Sequence, residues 1–438
     1  MRHAPTGWSR AARQGLVGWL VSIVILSAGL VIVPAASALP TPTRPGLTED
    51  GGSDEVVVAP GEADATGRIP RRLGEGGAAK GRAGVPGPDG GQLGSRSVVV
   101  LRVDYAGDPV DPKAAGQPYT EAEIRSRLTG AALSASSLFS AQSAGAVSLT
   151  GLSDAGGDVS PWITLGGTPP VKAGSSPSTC DHAKIAKDAF AKANASFGID
   201  VTRYDHVVIV FADYADDPAV AGDQSSPCGW SGLGEVPGST TWINGLYAGQ
   251  DDLDAAVIAH ELGHNLGAAH AATVACTEPS GATIALRTSC ALGGAVEYGD
   301  PFDLMGGGWP IDAPNSPWLG SVLMSAWHRA QLLELPDAAQ QTITTNGTYE
   351  LGDARTGAGI RLLRIGRGTG TSAVRELVIE RRVGGVDFDR WTGFSPVVPD
   401  GILIRLAPVL SISERSILLD MHPSTPTNKD APLAVGET

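Results

Sequence analysis

Residues 260–270 read His-Glu-Leu-Gly-His-Asn-Leu-Gly-Ala-Ala-His, and this stretch decides how the chain is interpreted. On a helix, His260 and His264 are one turn apart on the same face, so both imidazoles can reach one metal ion. Glu261 lies beside that line, close enough to hold a water molecule at the metal. The spacing therefore predicts a metal site on a helix, with an acid–base residue next to it.

The end of the same stretch supplies a third imidazole. A helix that continued past His264 would carry His270 away from the metal, but Gly267 lets the backbone turn through a positive φ, so His270 can return as a ligand. In a plain His-Glu-x-x-His site the third ligand is usually an acidic residue farther along, such as Glu297; we favour His270. Three protein ligands leave one position open for water, so we expect one catalytic Zn²⁺.

The stretch 260–270 resembles the zinc signature of the metzincin peptidases, and the sequence after it resembles their gametolysin-like branch. Residues 297–306 read Glu-Tyr-Gly-Asp-Pro-Phe-Asp-Leu-Met-Gly, and Met305 stands where these enzymes carry a methionine in a tight turn under the zinc. The resemblance implies a zinc-dependent endopeptidase whose zinc-bound water is activated by Glu261. Gly307 occupies the position where some metzincins have a metal-binding tyrosine, so no tyrosine ligand is expected there.

The resemblance implies an α+β fold for residues 96–335. A twisted sheet with helices would carry the active-site helix, and an irregular lower subdomain would contain the Met turn and the supporting residues Gly267 and Met305. Beyond this part, residues 336–438 contain short apolar runs at the spacing of a β-sandwich, so we expect a β-rich C-terminal domain. The chain stops at Thr438 without a closing signal, which is consistent with a fragment of a longer protein.

Local patterns agree with a layered upper half. Residues 98–103 form a β-branched apolar run that is typical of a core strand. Residues 120–141 suit one helix that begins with a capping box between Thr120 and Glu123. Residues 181–197 suit a second helix, which would end at Gly198.

The N-terminal part is of a different nature. Residues 1–38 look like a signal peptide, with arginines, an uncharged apolar run and Ala-Ser-Ala at the end. We expect cleavage and secretion; the alternative is an uncleaved anchor that leaves the enzyme facing outside. Residues 39–95 contain 14 glycines, 7 prolines and no aromatic residue, so they predict a disordered linker or pro-segment.

Four cysteines, all beyond the signal, suggest two disulfides in an exported chain. Three pairings are open. We favour Cys276–Cys290, which closes a short loop between the zinc stretch and Met305, and this choice leaves Cys180–Cys228 as the second bond.

Charge limits the partners. The formal net charge is −14, and cleavage after residue 38 would remove three arginines and no acid, which gives −17. Such an acidic chain is a poor ligand for nucleic acid or anionic membranes, so we expect protein or peptide substrates and membrane contact only through an uncleaved N-terminus. Asp251, Asp252 and Asp254 would suit Ca²⁺, but carboxylates before a helix usually act as caps, and nothing else supports calcium.

Two other functions stay open at this stage. One is a secreted zinc-binding adhesion or matrix-binding protein with a blocked cleft, and the presence of Glu261 argues against it. The other is a zinc amidase that acts on a non-protein amide.

Overall fold

The computed structural model describes most of the chain between residues 94 and 437. The residues outside this description are 1–93, 108–119, 131–133, 171, 174–179, 212–227, 229, 231, 245–254, 275–294, 307–321, 333–334, 356–357, 367–374, 384–399, 409–414, 424, 426–427, 435 and 438. The predicted signal peptide and nearly all of the predicted linker therefore lie outside the described residues.

The first sheet has seven strands within the described residues, in the order β2-β1-β5-β7-β6, with β3 and β4 also paired to β1. All pairs are parallel except β6 with β7, so the antiparallel strand β6 lies at one edge. The strands are β1 (Gly94–Tyr105), β2 (Val147–Thr150), β3 (Asp158–Val159), β4 (Ile163–Leu165), β5 (His206–Phe211), β6 (Gly232–Gly234) and β7 (Thr240–Asn244).

Helices cover both faces of this sheet. Alternate residues of a strand point to opposite sides, so the buried strands present apolar side chains to helices on each face. The helices are α1 (Glu121–Thr129), α2 (Ala135–Gln142), α3 (His182–Phe197) and α4 (Ala255–Asn265). One face packs on α1, α2 and α4 through Val98, Val100, Val208 and Val210. The other face packs on α3 through Val99, Leu101, Val207 and Ile209. The sheet with its helices thus forms three layers, and α4 belongs to the first of the two cores.

The helix predictions were partly right. Residues 120–141 contain two helices, so the single predicted helix is wrong. Thr120 and Glu123 do form the predicted capping box, but Ser134 forms a second capping box with Ser137 and so begins α2. The helix predicted over residues 181–197 is confirmed, and Gly198 ends it with a φ of 67°.

The second sheet combines strands that are far apart in sequence. Its order is β10-β11-β12-β13-β14-β8-β9, and β15 also pairs with β13. β14 lies parallel to β8, which begins directly after His270. The strands are β8 (Ala271–Val274), β9 (Ala295–Val296), β10 (Gln340–Thr342), β11 (Leu362–Gly366), β12 (Arg375–Val383), β13 (Asp400–Pro408), β14 (Ser416–Leu419) and β15 (Leu433–Ala434).

The α+β class is confirmed at this level, since two sheets occur with few helices. A further helix, α5 (Ala326–Leu332), precedes β10. The predicted sandwich, the Met turn and the domain limits at 96, 335 and 336 stay predictions, and the second sheet contains strands from both sides of the limit at 335. None of the helices in the described residues is long and apolar enough to cross a membrane.

Candidate metal centre

The centre begins with α4, whose residues are all buried. His260 and His264 lie one turn apart on this helix, and the helix ends at Asn265. Gly267 has a φ of 107°, and its N–H donates to the carbonyl of His264 at 2.8 Å. This left-handed turn brings the chain back, so His270 lies beside the two helical histidines, as the sequence predicts.

The three imidazoles converge. Ligand atoms of His260, His264 and His270 all lie within 4.8 Å of one another, and the three side chains are buried. His264 Nε2 and His270 Nε2 are 3.1 Å apart. Within the described residues, this is the single group of three or more His, Cys, Asp or Glu side chains that could hold a metal ion.

Each imidazole is oriented through its other nitrogen. Nδ1 of His260 contacts the carbonyl of Leu304 at 2.7 Å, and Nδ1 of His264 contacts the carbonyl of Ala268 at 2.7 Å. Nδ1 of His270 contacts Glu297 Oε1 at 2.8 Å. Because carbonyl and carboxylate oxygens accept, each Nδ1 carries the proton and each Nε2 keeps its lone pair. Two lone pairs that face each other at 3.1 Å repel, and a cation between them removes the repulsion, so this donor set fits Zn²⁺.

Glu261 lies against the edge strand β6. A Cβ atom added at Gly232 would stand 2.3 Å from Glu261 Oε1, and one added at Gly234 would stand 2.5 Å from the Glu261 carbonyl and 2.8 Å from His264 Cβ. A side chain at either position would therefore displace the helix or the carboxylate. The sequence reasoning missed these two glycines, although glycines within a strand can indicate that another backbone approaches the strand closely.

Met305 and Met324 pack beneath the helix. A Cβ atom at Gly263 would lie 2.7 Å from Met305 Sδ and 2.7 Å from Met324 Cε. Met305 is fully buried, and its carbonyl accepts from the N–H of Ala271 at 2.7 Å. The role of Met305 below the imidazoles stays a prediction, and Met324 was not anticipated.

An aromatic ring covers the third histidine. The ring centroid of Tyr298 is 3.9 Å from that of His270 and 6.2 Å from that of His260. Tyr298 has a φ of 57°, which is uncommon for a residue other than glycine. The sequence reasoning singled out neither Tyr298 nor the contact of Glu297 with His270, because both depend on how the chain folds after β8.

A buried set of charges fixes the segment that follows Tyr298. Arg405 Nε donates to Asp300 Oδ2 at 2.6 Å, and its Nη1 donates to Glu380 Oε1. His328 Nδ1 contacts Asp303 Oδ2 at 2.8 Å. All five side chains are buried. They connect the residues that contain the Leu304 carbonyl to strands β12 and β13.

The pKa values of the two aspartates are shifted in opposite directions. Burial raises the pKa of Asp300 above its ordinary range, although Arg405 opposes this. Burial would also raise the pKa of Asp303, but the nearby His328 and Arg405 bring it well below the ordinary range. Asp303 is therefore the more firmly ionised carboxylate of the two.

One disulfide is present within the described residues. Cys180 and Cys228 are bonded, 48 residues apart in sequence, which confirms the second of the predicted pairs. The favoured pair Cys276–Cys290 lies outside the described residues, as do Asp251, Asp252 and Asp254.

The fold is compatible with a peptidase domain, and the three histidines are compatible with a metal site in it. Residues 145–279 match the model of the gametolysin peptidase M11 family, which confirms the gametolysin-like resemblance of the chain. The match includes all of α4 and the stretch 260–270 and ends before Glu297. A comparison with curated proteins finds no match. This match supports a metallopeptidase, and a peptidase implies protein or peptide substrates.

Proposed function

We propose that the chain is a secreted, zinc-dependent endopeptidase of the metzincin type. The observation that carries this proposal is the convergence of three imidazoles, each oriented through Nδ1, with Glu261 directly after His260 on the same buried helix. A purely structural zinc site is normally closed by four protein ligands, and here three suitable side chains meet in the described residues.

His260, His264 and His270 would hold the zinc ion through Nε2. When bound, zinc supplies Lewis-acid chemistry, because it polarises the scissile carbonyl and lowers the pKa of its water to about 7. The proton on each Nδ1 is fixed by an oxygen acceptor, so all three rings present a lone pair without rearrangement. The protein therefore pre-forms the ligand set.

Glu261 would move the proton. Glu261 directly follows His260 on α4, and β6 packs against its carboxylate. Glu261 takes a proton from the attacking water and then gives it to the nitrogen of the leaving amine, so the carboxylate is regenerated in each cycle. The glycines of β6 hold the carboxylate without crowding it.

The substrate would lie along β6. This strand ends the order of the first sheet, is antiparallel to β7, and lies beside Glu261. An extended peptide that pairs with such an edge has its register fixed by main-chain hydrogen bonds, and this favours peptides over small amides.

Export is supported by the disulfide. A bond between Cys180 and Cys228 forms and persists in an oxidising compartment, which agrees with the signal-like residues 1–38. Cleavage of these residues would release the enzyme, whereas retention would leave it anchored by the N-terminus.

The test is a digest of casein and of a peptide library by the purified chain, with its zinc content measured in parallel. We expect internal peptide bonds to be cut, cutting to stop with a zinc chelator, and activity to return with added Zn²⁺. Bound zinc without any cutting would favour the adhesion or matrix-binding alternative. Hydrolysis of simple amides in place of peptides would favour the amidase.

A further inference from the structure

Glu297 connects the candidate metal centre to the C-terminal strands. Its Oε1 accepts from His270 Nδ1 at 2.8 Å, and the same oxygen accepts from the guanidinium of Arg415. We infer that Arg415 is a positioning residue for the metal site. It fixes the Glu297 carboxylate, and this carboxylate fixes the ring and the protonated nitrogen of His270. The inference rests on the zinc site of the proposed function, though not on peptidase activity.

The sheet register explains why Arg415 reaches this place. β14 and β8 are parallel, with Ser416 opposite Ala271. Arg415 and His270 each directly precede these paired residues. The backbone pairing thus sets Arg415 beside His270, and the hydroxyl of Thr273 adds a bond to the Leu418 carbonyl at 3.2 Å. The placement follows from the strand pairing that begins at the next residue of each segment.

The second contact matters because the Glu297 side chain is partly open to water. Its exposed fraction is 38%, whereas that of His270 is 2%. A carboxylate in this setting has several rotamers, and a second donor on the same oxygen restricts it to the one that meets His270. Glu297 then holds the Nδ1 edge of the His270 ring, and Tyr298 packs on the face of that ring.

The contact is separable from folding. An ion pair between side chains exposed by 43% and 38% contributes little to stability. The following residues have attachments of their own: Phe302 packs with Leu403, Leu418 and Ala431. We therefore expect the chain to fold without the Arg415 side chain, with a metal site that is less well ordered.

The experiment measures zinc affinity of the metal-free chain by competition with a chromophoric chelator, with thermal unfolding of the same samples. Glu297→Gln keeps the shape but weakens the bond to His270, and should lower zinc affinity about 10–100-fold. Arg415→Ala acts one contact farther away, so we expect a loss of roughly 3–10-fold. In a Glu297→Ala background, Arg415→Ala should have no further effect, because no side chain is left at residue 297 to connect Arg415 with His270.

Two variants serve as matched controls. Arg415→Lys keeps one charged donor and should restore most of the zinc affinity. Arg364 belongs to the same sheet and pairs with Glu376, so Arg364→Ala removes another ion pair, which is more buried, from strands β11 and β12. We expect it to change zinc affinity by less than about twofold. If Arg415→Ala fails to fold, Arg415→Met, which has no donor, replaces it with the same expectation.

The outcomes separate the two proposals. Unchanged zinc affinity in Arg415→Ala, or losses that simply add in the double variant, would overturn the positioning role. Zinc binding that depends on Arg415, in a chain that cuts no peptide, would support the positioning role and overturn the peptidase function. A wild-type chain that binds no zinc would overturn both.

Discussion

Helix α4 rests on the first sheet through apolar side chains, whereas residues 297–305 are tied to the second sheet by buried charges. On the first side, Val257 and Leu262 of the helix share a core with Val208 of β5. On the second side, Arg405 of β13 bonds to Asp300 and Glu380. The two kinds of contact meet at the three imidazoles.

This difference has a physical meaning. Apolar contacts are non-directional, and a lost methyl group costs only part of the packing energy. Buried ion pairs are directional, and removal of one partner leaves the other charge buried and uncompensated. The apolar contacts with the first sheet should therefore tolerate small substitutions in α4. The buried ion pairs with the second sheet fix residues 297–305 more precisely, but the loss of one partner should be costly.

The largest expected effect is at the junction of the two regions. His270→Ala removes a ligand, so we expect zinc and peptidase activity to be lost together. Glu297→Ala removes only the support of that ligand, and zinc should stay bound with an affinity lowered about 10–100-fold. A zinc titration of both variants checks this, and the reverse pattern would make Glu297 the third ligand.

The next effect concerns the helix on the first sheet. Glu261→Gln keeps the size of the side chain but removes the proton acceptor, so kcat/KM should fall about 10²–10⁴-fold. Zinc content and unfolding temperature should stay as in the wild type, because the apolar support of α4 is untouched. Near-normal turnover in this variant would remove Glu261 from the proposed mechanism.

Arg405→Met directly tests the buried ion pairs between residues 297–305 and the second sheet. It leaves Asp300 buried without its cation, whereas Glu380 keeps Arg382 and Arg329, and we expect a loss of about 3–5 kcal/mol in the free energy of unfolding. Burial already raises the pKa of Asp300, and without Arg405 this pKa rises further in the folded state, so the folded variant binds more protons than the unfolded chain and regains stability as the pH falls.

The matched control lies in the apolar contacts between α4 and the first sheet. Ile258→Val in α4 removes one buried methylene and should cost about 0.5–1.5 kcal/mol at every pH. Urea unfolding of both variants at pH 5 and pH 8 makes the comparison. A pH-independent loss in Arg405→Met would contradict the role of the buried carboxylates.

The smallest effect is expected where the first sheet touches the catalytic carboxylate. Gly232→Ala places a Cβ atom 2.3 Å from Glu261 Oε1, so the carboxylate must shift. A shift of this size should lower kcat roughly 10–100-fold with zinc retained. Gly366→Ala is the control, since a Cβ atom there meets nothing within 4 Å, and steady-state kinetics should show no change.

The sequence predicted the features that depend on local spacing. The approach of His260, His264 and His270 follows from one helical turn and from the positive φ of Gly267. The α3 boundaries follow from the capping Asp181 and from Gly198. In these cases a few neighbouring residues determine the geometry.

Features that depend on distant pairing could not be predicted in this way. The partners of Glu297 directly precede β8 and β14, and nothing in either stretch specifies the other. Gly232 shows its role only when β6 lies against α4. The split between α1 and α2 was in principle visible, because Ser134 with Ser137 is a second capping signal inside the run.

The pairing of β8 with β14 has a consequence for the order in which the chain is made. Thr273 and Leu418 meet in the sheet although 145 residues separate them. A ribosome therefore produces all three histidines long before it produces the strand that lies beside the last of them. During synthesis, and during any passage through a membrane pore with the N-terminus first, His270 lacks that neighbour and Arg415. The site is complete only when residues near 419 have emerged, so the metal site forms late in the synthesis of the chain.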